Sequence, residues 1–373
     1  MLQTSALMSV GLAAGGLPVL RSVAQETLTQ LPDSAEKLLR EYMQEFSVPG
    51  LQLAYVRGAS VLYSGGLGEA NRAEHQPVTT KSLFRIASNS KAFTSAAIFR
   101  LVESGKLTLQ DRVFAPDGIL KQYSELGPHR EWIHAITVHQ LLTHTCGGWS
   151  NESNDPMFEV PGKDHDQLIR WTLETHPLQN PPGEKYAYSN FGYCVLGRVI
   201  EQVSGERYPE FVRREVLRTA RINDMRIGTH NTAPDEVHYY GQAGENPEGF
   251  PIARMDSHGG WIATAMDMAM LLACLFSPAD DEGSTPILTP ASLKIMTTGS
   301  AANPGYACGL CVNKVGNAWH AGRLPGTMSL MVHTHSKMSW AVVLNTSSPK
   351  PDAGPRLDRM LWEIARSVPE WRV

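Results

Sequence analysis

Basic charge is in short supply in this chain. Across 373 residues, 33 Lys and Arg stand against 37 Asp and Glu, a net charge of −4, and no block of Lys and Arg stands out. A nucleic-acid partner demands a basic footprint, so that class is excluded as a main partner. Cysteine is scarce and odd in number, five in all, which leaves no complete disulfide framework. Cys308-Gly309-Leu310-Cys311 has redox or half-zinc spacing, but no second pair completes a metal site. Its flanks, Gly305-Tyr306-Ala307 and Val312-Asn313, read as a strand that turns the two thiols to opposite faces, where they pack. The chain also lacks a Gly-x-Ser-x-Gly elbow, a His-Glu-x-x-His pair, an internal repeat and a low-complexity tract. Those absences remove the Ser-His-Asp α/β-hydrolase and metallo-hydrolase classes, and His333-Thr334-His335 reads as a solvated turn. The apolar stretch near the start is short for a membrane span.

What is present is a 42% hydrophobic composition, enough for a sizeable core. Residues 1–24 resemble an export signal: Ala6 to Leu20 is apolar and small, and Ser22-Val23-Ala24 has the form of a signal-peptidase site. No Lys or Arg precedes Arg21, so the expected export signal lacks its basic start, and Leu2 to Leu7 is similar to the run after the arginine pair of a twin-arginine signal. A buried N-terminal segment is the alternative. Asp33 to Phe46 has the spacing of an amphipathic helix, and two strands come next at Leu51–Val56 and Ser60–Tyr63. From 88 to 300 the chain reads as helix and loop, with helices at 136–143, 164–174, 191–203, 209–217, 261–276 and 290–296. After 300 a period of two returns over Tyr306–Asn313, Ala318–Ala321, Thr327–His333 and Ser339–Asn345, and Pro355–Ser367 closes as a helix. The expected fold is α/β (α+β). Residues 25–87 and 301–373 build one antiparallel sheet flanked by terminal helices, 88–300 form a helical insertion, and the site lies in the cleft between them.

Ser-x-x-Lys occurs three times, at Ser34–Lys37, Ser88–Lys91 and Ser347–Lys350. Ser34 reads as a helix cap, and Pro349 breaks any helical register in the third. Only Ser88 follows a strand-like run, Phe84-Arg85-Ile86, and opens a long apolar helix. Residues i and i+3 share a helical face, so the Ser88 hydroxyl can meet the Lys91 amine. A neutral amine beside a hydroxyl is a nucleophile with its base. Tyr188-Ser189-Asn190 is the only Tyr-x-Asn in the chain and lies in a loop, where side chains 188 and 190 point the same way. A phenol can shuttle a proton and an amide can hold a carbonyl. His320-Ala321-Gly322 sits on an expected strand, where Gly322 permits close approach to the backbone. His258-Gly259-Gly260 is a rival match that precedes a helix.

These three motifs in this order resemble the signatures of the serine β-lactamase and penicillin-recognising superfamily, over roughly residues 30 to 370. Leu141-Leu142-Thr143-His144-Thr145, Gly259-Gly260-Trp261 and Pro325-Gly326 fit the same pattern. The Tyr-x-Asn form is similar to class C β-lactamases, D-alanyl-D-alanine carboxypeptidases, D-aminopeptidases and β-lactamase-like esterases. The resemblance implies an acyl-enzyme at Ser88, with Lys91 or Tyr188 as base, Asn190 and His320 on the substrate, and no metal or organic cofactor. Gly322 and the following Arg323 would supply strand backbone, with the Arg323 N–H as an oxyanion donor. Where the β-lactamase pattern has Lys-Thr-Gly or Lys-Ser-Gly, this chain has a histidine and an alanine. Esters, amides and N-terminal residues of peptides are therefore expected ahead of penicillins, with Arg323 available to restore carboxylate binding. The expected partner is a small-molecule or peptide substrate. A non-catalytic acylable sensor of the same fold is the other reading.

Overall fold

The computed structural model describes residues 30–371 except 154, 230–232, 234, 250 and 278–284. The expected export segment at 1–24 lies outside the described residues. Seven strands form the main sheet: β1 (Gly50–Arg57), β2 (Ser60–Asn71), β3 (Gln76–Pro77), β7 (Cys311–Val312), β8 (Ala318–Leu324), β9 (Thr327–His333) and β10 (Met338–Leu344), in the order β3-β2-β1-β10-β9-β8-β7. All neighbours are antiparallel. The two ends of the chain thus meet at β1 and β10, which pair from Leu51–Leu344 to Arg57–Met338.

Period two sorts these central strands into two faces. Leu51, Leu53 and Tyr55 join Trp340, Val342 and Leu344 in a core under the terminal helices, α1 (Asp33–Glu45) and α5 (Ala353–Ser367). Tyr42 of α1 donates to the Ala353 carbonyl at 3.0 Å, and Tyr55 donates to Leu361 O at 2.9 Å, so two buried phenols tie helix to helix and sheet to helix. The opposite face, with Ala54, Val56, Ala341 and Val343, belongs to a second core shared with α2 (Ser90–Glu103), α3 (Asn190–Ser204) and α4 (Ala265–Leu275).

Several local expectations change. The helix expected over 261–276 begins at Ala265, because Thr264 and Asp267 close a capping box there. Trp261–Ala263 instead forms β6, the middle strand of a small sheet with β4 (Phe84–Arg85) and β5 (Arg226–Ile227). Tyr306–Asn313 is a tight hairpin rather than a strand, with Ala307 N–H donating to Leu310 O at 2.8 Å and Gly309 at φ +75°. A Cβ at Gly309 would strike Ser95 Oγ and lie 2.9 Å from Lys91 O, so this hairpin presses on the first turns of α2. His333 is buried and stacked on Phe276 at 4.0 Å, with Nδ1 2.8 Å from Ser339 Oγ, while His335 is exposed. Only the far end of that expected solvated turn is solvated.

Candidate active site

The nucleophile candidate sits one turn ahead of its helix. Ala87–Asn89 form a 3-10 turn and α2 starts at Ser90. The i, i+3 relation survives, because 3-10 geometry also brings those positions together. Ala87 holds φ +48°, a left-handed backbone that costs a non-glycine residue about 1 kcal/mol or more. The surroundings hold it there: Ser329 Oγ of β9 donates to Ile86 O at 2.8 Å, and Asn89 Nδ2 donates to Ser329 Oγ at 2.8 Å.

Lys91 is fully buried, and its Nζ lies 2.7 Å from Asn190 Oδ1, 2.9 Å from His258 O and 3.1 Å from Ser88 Oγ. Burial drives its pKa down from 10.5 to about 7, against a smaller opposing pull from the Asp155 carboxylate. A neutral amine has two hydrogens and one lone pair. Asn190 Oδ1 and His258 O can only accept, so they take the hydrogens and leave the lone pair for the Ser88 hydroxyl. The rival His-x-Gly therefore belongs to the same site through its backbone.

Asn190 opens α3, and Ser189 caps that helix through Gly192 N–H. Asn190 Nδ2 donates to Asp155 Oδ2 at 2.8 Å, which fixes the amide with its oxygen toward Lys91. Asp155 also accepts from Met157 N–H at 3.0 Å, and burial pushes its carboxyl above the ordinary range. Against the upward push of burial, the Ser88 hydroxyl pulls the Tyr188 pKa down a little, and the Tyr188 ring centroid is 4.8 Å from Lys91 Nζ. Burial pushes the Tyr188 phenol well up, so it stays protonated.

Replacing Asp155 with Asn is expected to lower the Lys91 pKa further, because the one carboxylate acting on it disappears. The acid limb of a kcat/KM profile then moves to lower pH, while kcat falls as the Asn190 amide loses its fixed orientation. A limb that stays in place, measured from pH 5 to 9, would show that Asp155 only braces the loop.

The third motif comes from β8. Pro325-Gly326 turns β8 into β9, with Gly326 at φ +75°. The pair flanking a two-residue turn exchanges hydrogen bonds, as does every second pair beyond it, here Gly322–Ser329 and His320–Met331. The amides of Ala321 and Arg323 therefore point to the opposite edge. β7 covers that edge only at Ala318 and Trp319, so it is free of strand pairing alongside Arg323. Gly322 is packed so closely that a Cβ would strike Ile86 O and lie 2.5 Å from Ser329 Oγ.

Both nitrogens of buried His320 are engaged, Nδ1 at 2.7 Å from Ala321 O and Nε2 at 3.1 Å from Tyr306 Oη. Burial, helped by the nearby Lys91, takes its pKa down to about 3. The Arg323 side chain is half exposed, with its guanidinium 3.6 Å from the Glu245 carboxylate.

A family model described as Beta-lactamase matches residues 35–362. The chain belongs to the beta-lactamase family. Among curated relatives, Penicillin-binding protein 4* of Bacillus subtilis (strain 168) is 31% identical over 189 residues, covering 49% of this chain and 39% of that protein. The chain spans about two-fifths of the length of the first curated relatives it matches. Among solved structures, the D-amino acid amidase from Ochrobactrum anthropi SV3 complexed with L-phenylalanine superposes with TM-score 0.73 at 23% identity, covering 90% of this chain and 99% of that one. The octameric penicillin-binding protein homologue from Pyrococcus abyssi gives TM-score 0.72 at 24% identity, over 91% and 79%. These two likenesses show the shared fold.

In this beta-lactamase family member, the fold brings Ser88, Lys91, Tyr188 and Asn190 together, with Gly322 against the turn that carries Ser88 and His320 near the Tyr188 ring (centroids 6.3 Å). Reading the motifs alone missed Asp155, the His258 carbonyl, the side chain of His144 and Tyr306. His144 lay in a segment already matched to the family, and its left-handed φ of +57° marks it as held by its surroundings. Nothing in the spacing pointed to the others.

Proposed function

We propose that this chain is a serine hydrolase that cleaves an ester or amide through an acyl-enzyme at Ser88. The observation that carries this reading is the placing of the buried Lys91 amine, which two acceptors hold so that its neutral form, reached near pH 7, directs its lone pair at the Ser88 hydroxyl. Lys91 accepts the hydroxyl proton as Ser88 Oγ bonds to the carbonyl carbon. The negative oxygen then faces the N–H groups of Ser88 and Arg323. As the bond to the leaving group breaks, that group takes a proton through the Tyr188 hydroxyl, which Lys91 replenishes. Water enters by the same route in reverse and releases the acid. Tyr188 acts as proton carrier rather than base, because burial holds it as a phenol while Lys91 is free to accept.

The third motif narrows the substrate. His320 is neutral with both nitrogens engaged, and Arg323 faces Glu245. No unpaired cation stands where the β-lactamase pattern places one, which favours small esters and neutral amides. Peptides and D-amino-acid derivatives come next, and β-lactams last. The site is read as the cleft between the sheet part, 25–87 and 301–373, and the helical part, 88–300. Export rests on the form of residues 1–24.

A fluorophosphonate is expected to label Ser88 and to leave Ser88→Ala unlabelled. Turnover of p-nitrophenyl acetate is expected to rise with pH, reaching half its limit near 7, because the base must shed its proton first. Labelling without turnover of any ester, aminoacyl amide or β-lactam would favour the acylable sensor instead.

A further inference from the structure

A residue outside all three motifs, Tyr306, joins the two walls of this site. The hydrogen bonds through it have an order fixed by chemistry at both ends. At one end is the Ser189 N–H, which can only donate, 3.0 Å from His144 Nδ1. That nitrogen is therefore unprotonated. His144 is fully buried and held neutral by burial, so its proton sits on Nε2, 3.1 Å from Tyr306 Oη. At the other end is the Ala321 carbonyl, which can only accept, 2.7 Å from His320 Nδ1. That nitrogen carries the proton of a neutral ring, so His320 Nε2 is a bare acceptor 3.1 Å from the same Tyr306 Oη. The phenol accepts from His144 and donates to His320. Any other assignment sets two lone pairs or two hydrogens against each other.

We propose that Tyr306 is a positioning residue that sets the width of the slot between Tyr188 and the free edge of β8, by joining two imidazoles whose tautomers are fixed from their far ends. The ends of the hydrogen-bonded rod are backbone atoms next to working groups: Ser189 N adjoins Tyr188, and Ala321 O lies two residues before Arg323. Ser329 fixes the nucleophile turn against β9, and Asn190 fixes α3 against Lys91. Neither sets the distance from Tyr188 to β8, and the rod does. Its middle member is anchored independently, because the Tyr306 hairpin packs closely on α2 at Gly309 and Cys308 N–H donates to Met296 O at 3.1 Å. The His144 ring also packs on Tyr188 at 4.3 Å and on Tyr306 at 4.8 Å, so lateral slip of any member costs aromatic contact. The catalytic purpose of the slot rests on the serine-hydrolase reading, whereas the proton order does not.

The test uses the full chain labelled with 15N-histidine, assigned through His144→Gln and His320→Gln. Two-bond proton–nitrogen spectra at pH 7 are expected to show His144 as the Nε2–H tautomer and His320 as Nδ1–H. Tyr306→Phe keeps the ring and removes the link. We expect Ser88 labelling to persist, kcat on p-nitrophenyl acetate to fall by about 10- to 100-fold, and the His320 ring, still Nδ1–H against Ala321 O, to show a downfield shift of its Nε2 resonance as that nitrogen loses its donor. Reversed tautomers in the wild type, or a Tyr306→Phe enzyme with unchanged kcat, overturn the proposal. A wild-type Ser88 that no fluorophosphonate labels overturns the hydrolase reading and the catalytic half of this proposal with it. The two failures are thereby told apart.

Discussion

Lys91→Met is expected to abolish turnover while making stability insensitive to a pH range in which the wild type responds strongly. Loss of a positioned base costs about 10² to 10⁴ in rate, and the neighbours of Lys91 cannot replace it, because burial drives the Tyr188 pKa up and those of His144 and His320 down. The stability effect comes from burial. The folded-state pKa is about 7 and the unfolded value 10.5. Between those limits the unfolded chain carries a proton that the folded one lacks, so wild-type stability rises with pH across the window. Below pH 7 both states are protonated, and the burial penalty on the cation, about 5 kcal/mol, is felt in full. Methionine has no such slope. The stability difference, wild type minus variant, should grow by about 2 kcal/mol from pH 7 to pH 9. Its absolute sign also includes the acceptors Asn190 Oδ1 and His258 O, left without a donor at about 1–3 kcal/mol each. Urea titrations at pH 6, 7, 8 and 9 measure the slope directly. Parallel curves for the two proteins would mean that Lys91 is not desolvated as described.

Gly322→Ala has the second largest expected effect. The added methyl meets Ile86 O and Ser329 Oγ, and it sits 3.0 Å from Asn89 Nδ2. Ile86 and Asn89 flank Ser88, so the strain separates β8 from the nucleophile rather than dispersing into a soft side chain. Overpacking of this kind costs about 1–3 kcal/mol in stability. A shift of about 1 Å between the nucleophile and the Arg323 amide costs on the order of 100-fold in kcat/KM. Arg323→Ala is the control, since it keeps the amide in place and removes only a half-exposed side chain. If Gly322→Ala matched wild-type kcat/KM, the Arg323 amide would have no part in the reaction.

Short-range periodicity carried the fold a long way in this chain. The terminal helices were legible because their apolar residues recur at helical spacing, and the main sheet because β1, β9 and β10 are bounded by clear turns, whereas the strand expected over Ser60–Tyr63 runs on through Gly65, Gly66 and Gly68 to Asn71. The pair Ser88 and Lys91 was legible because i, i+3 proximity holds in both 3-10 and α geometry. The hairpin at Tyr306 was not, since the letter glycine at 309 is equally compatible with a strand and with the left-handed turn adopted there. Asp155 announces a helix start by preceding Pro156, but its contact with Asn190 spans 35 residues, and no local pattern encodes it. His144 and Tyr306 stand 162 residues apart, and no local pattern encodes their meeting. His333 misled for the same reason: its partner Phe276 approaches from α4's far end.

The clasp of Ser329 on Ile86 and Asn89 has a thermodynamic corollary for ligand response. Because the turn that carries Ser88 is bolted to the sheet before anything binds, a ligand reaching it meets backbone that is already ordered. Amide hydrogen exchange at residues 86–89 should already be as slow in the free protein as in its fluorophosphonate adduct. Recognition at that wall then has to be written in fixed shape, and a substrate that fits poorly gains nothing from waiting.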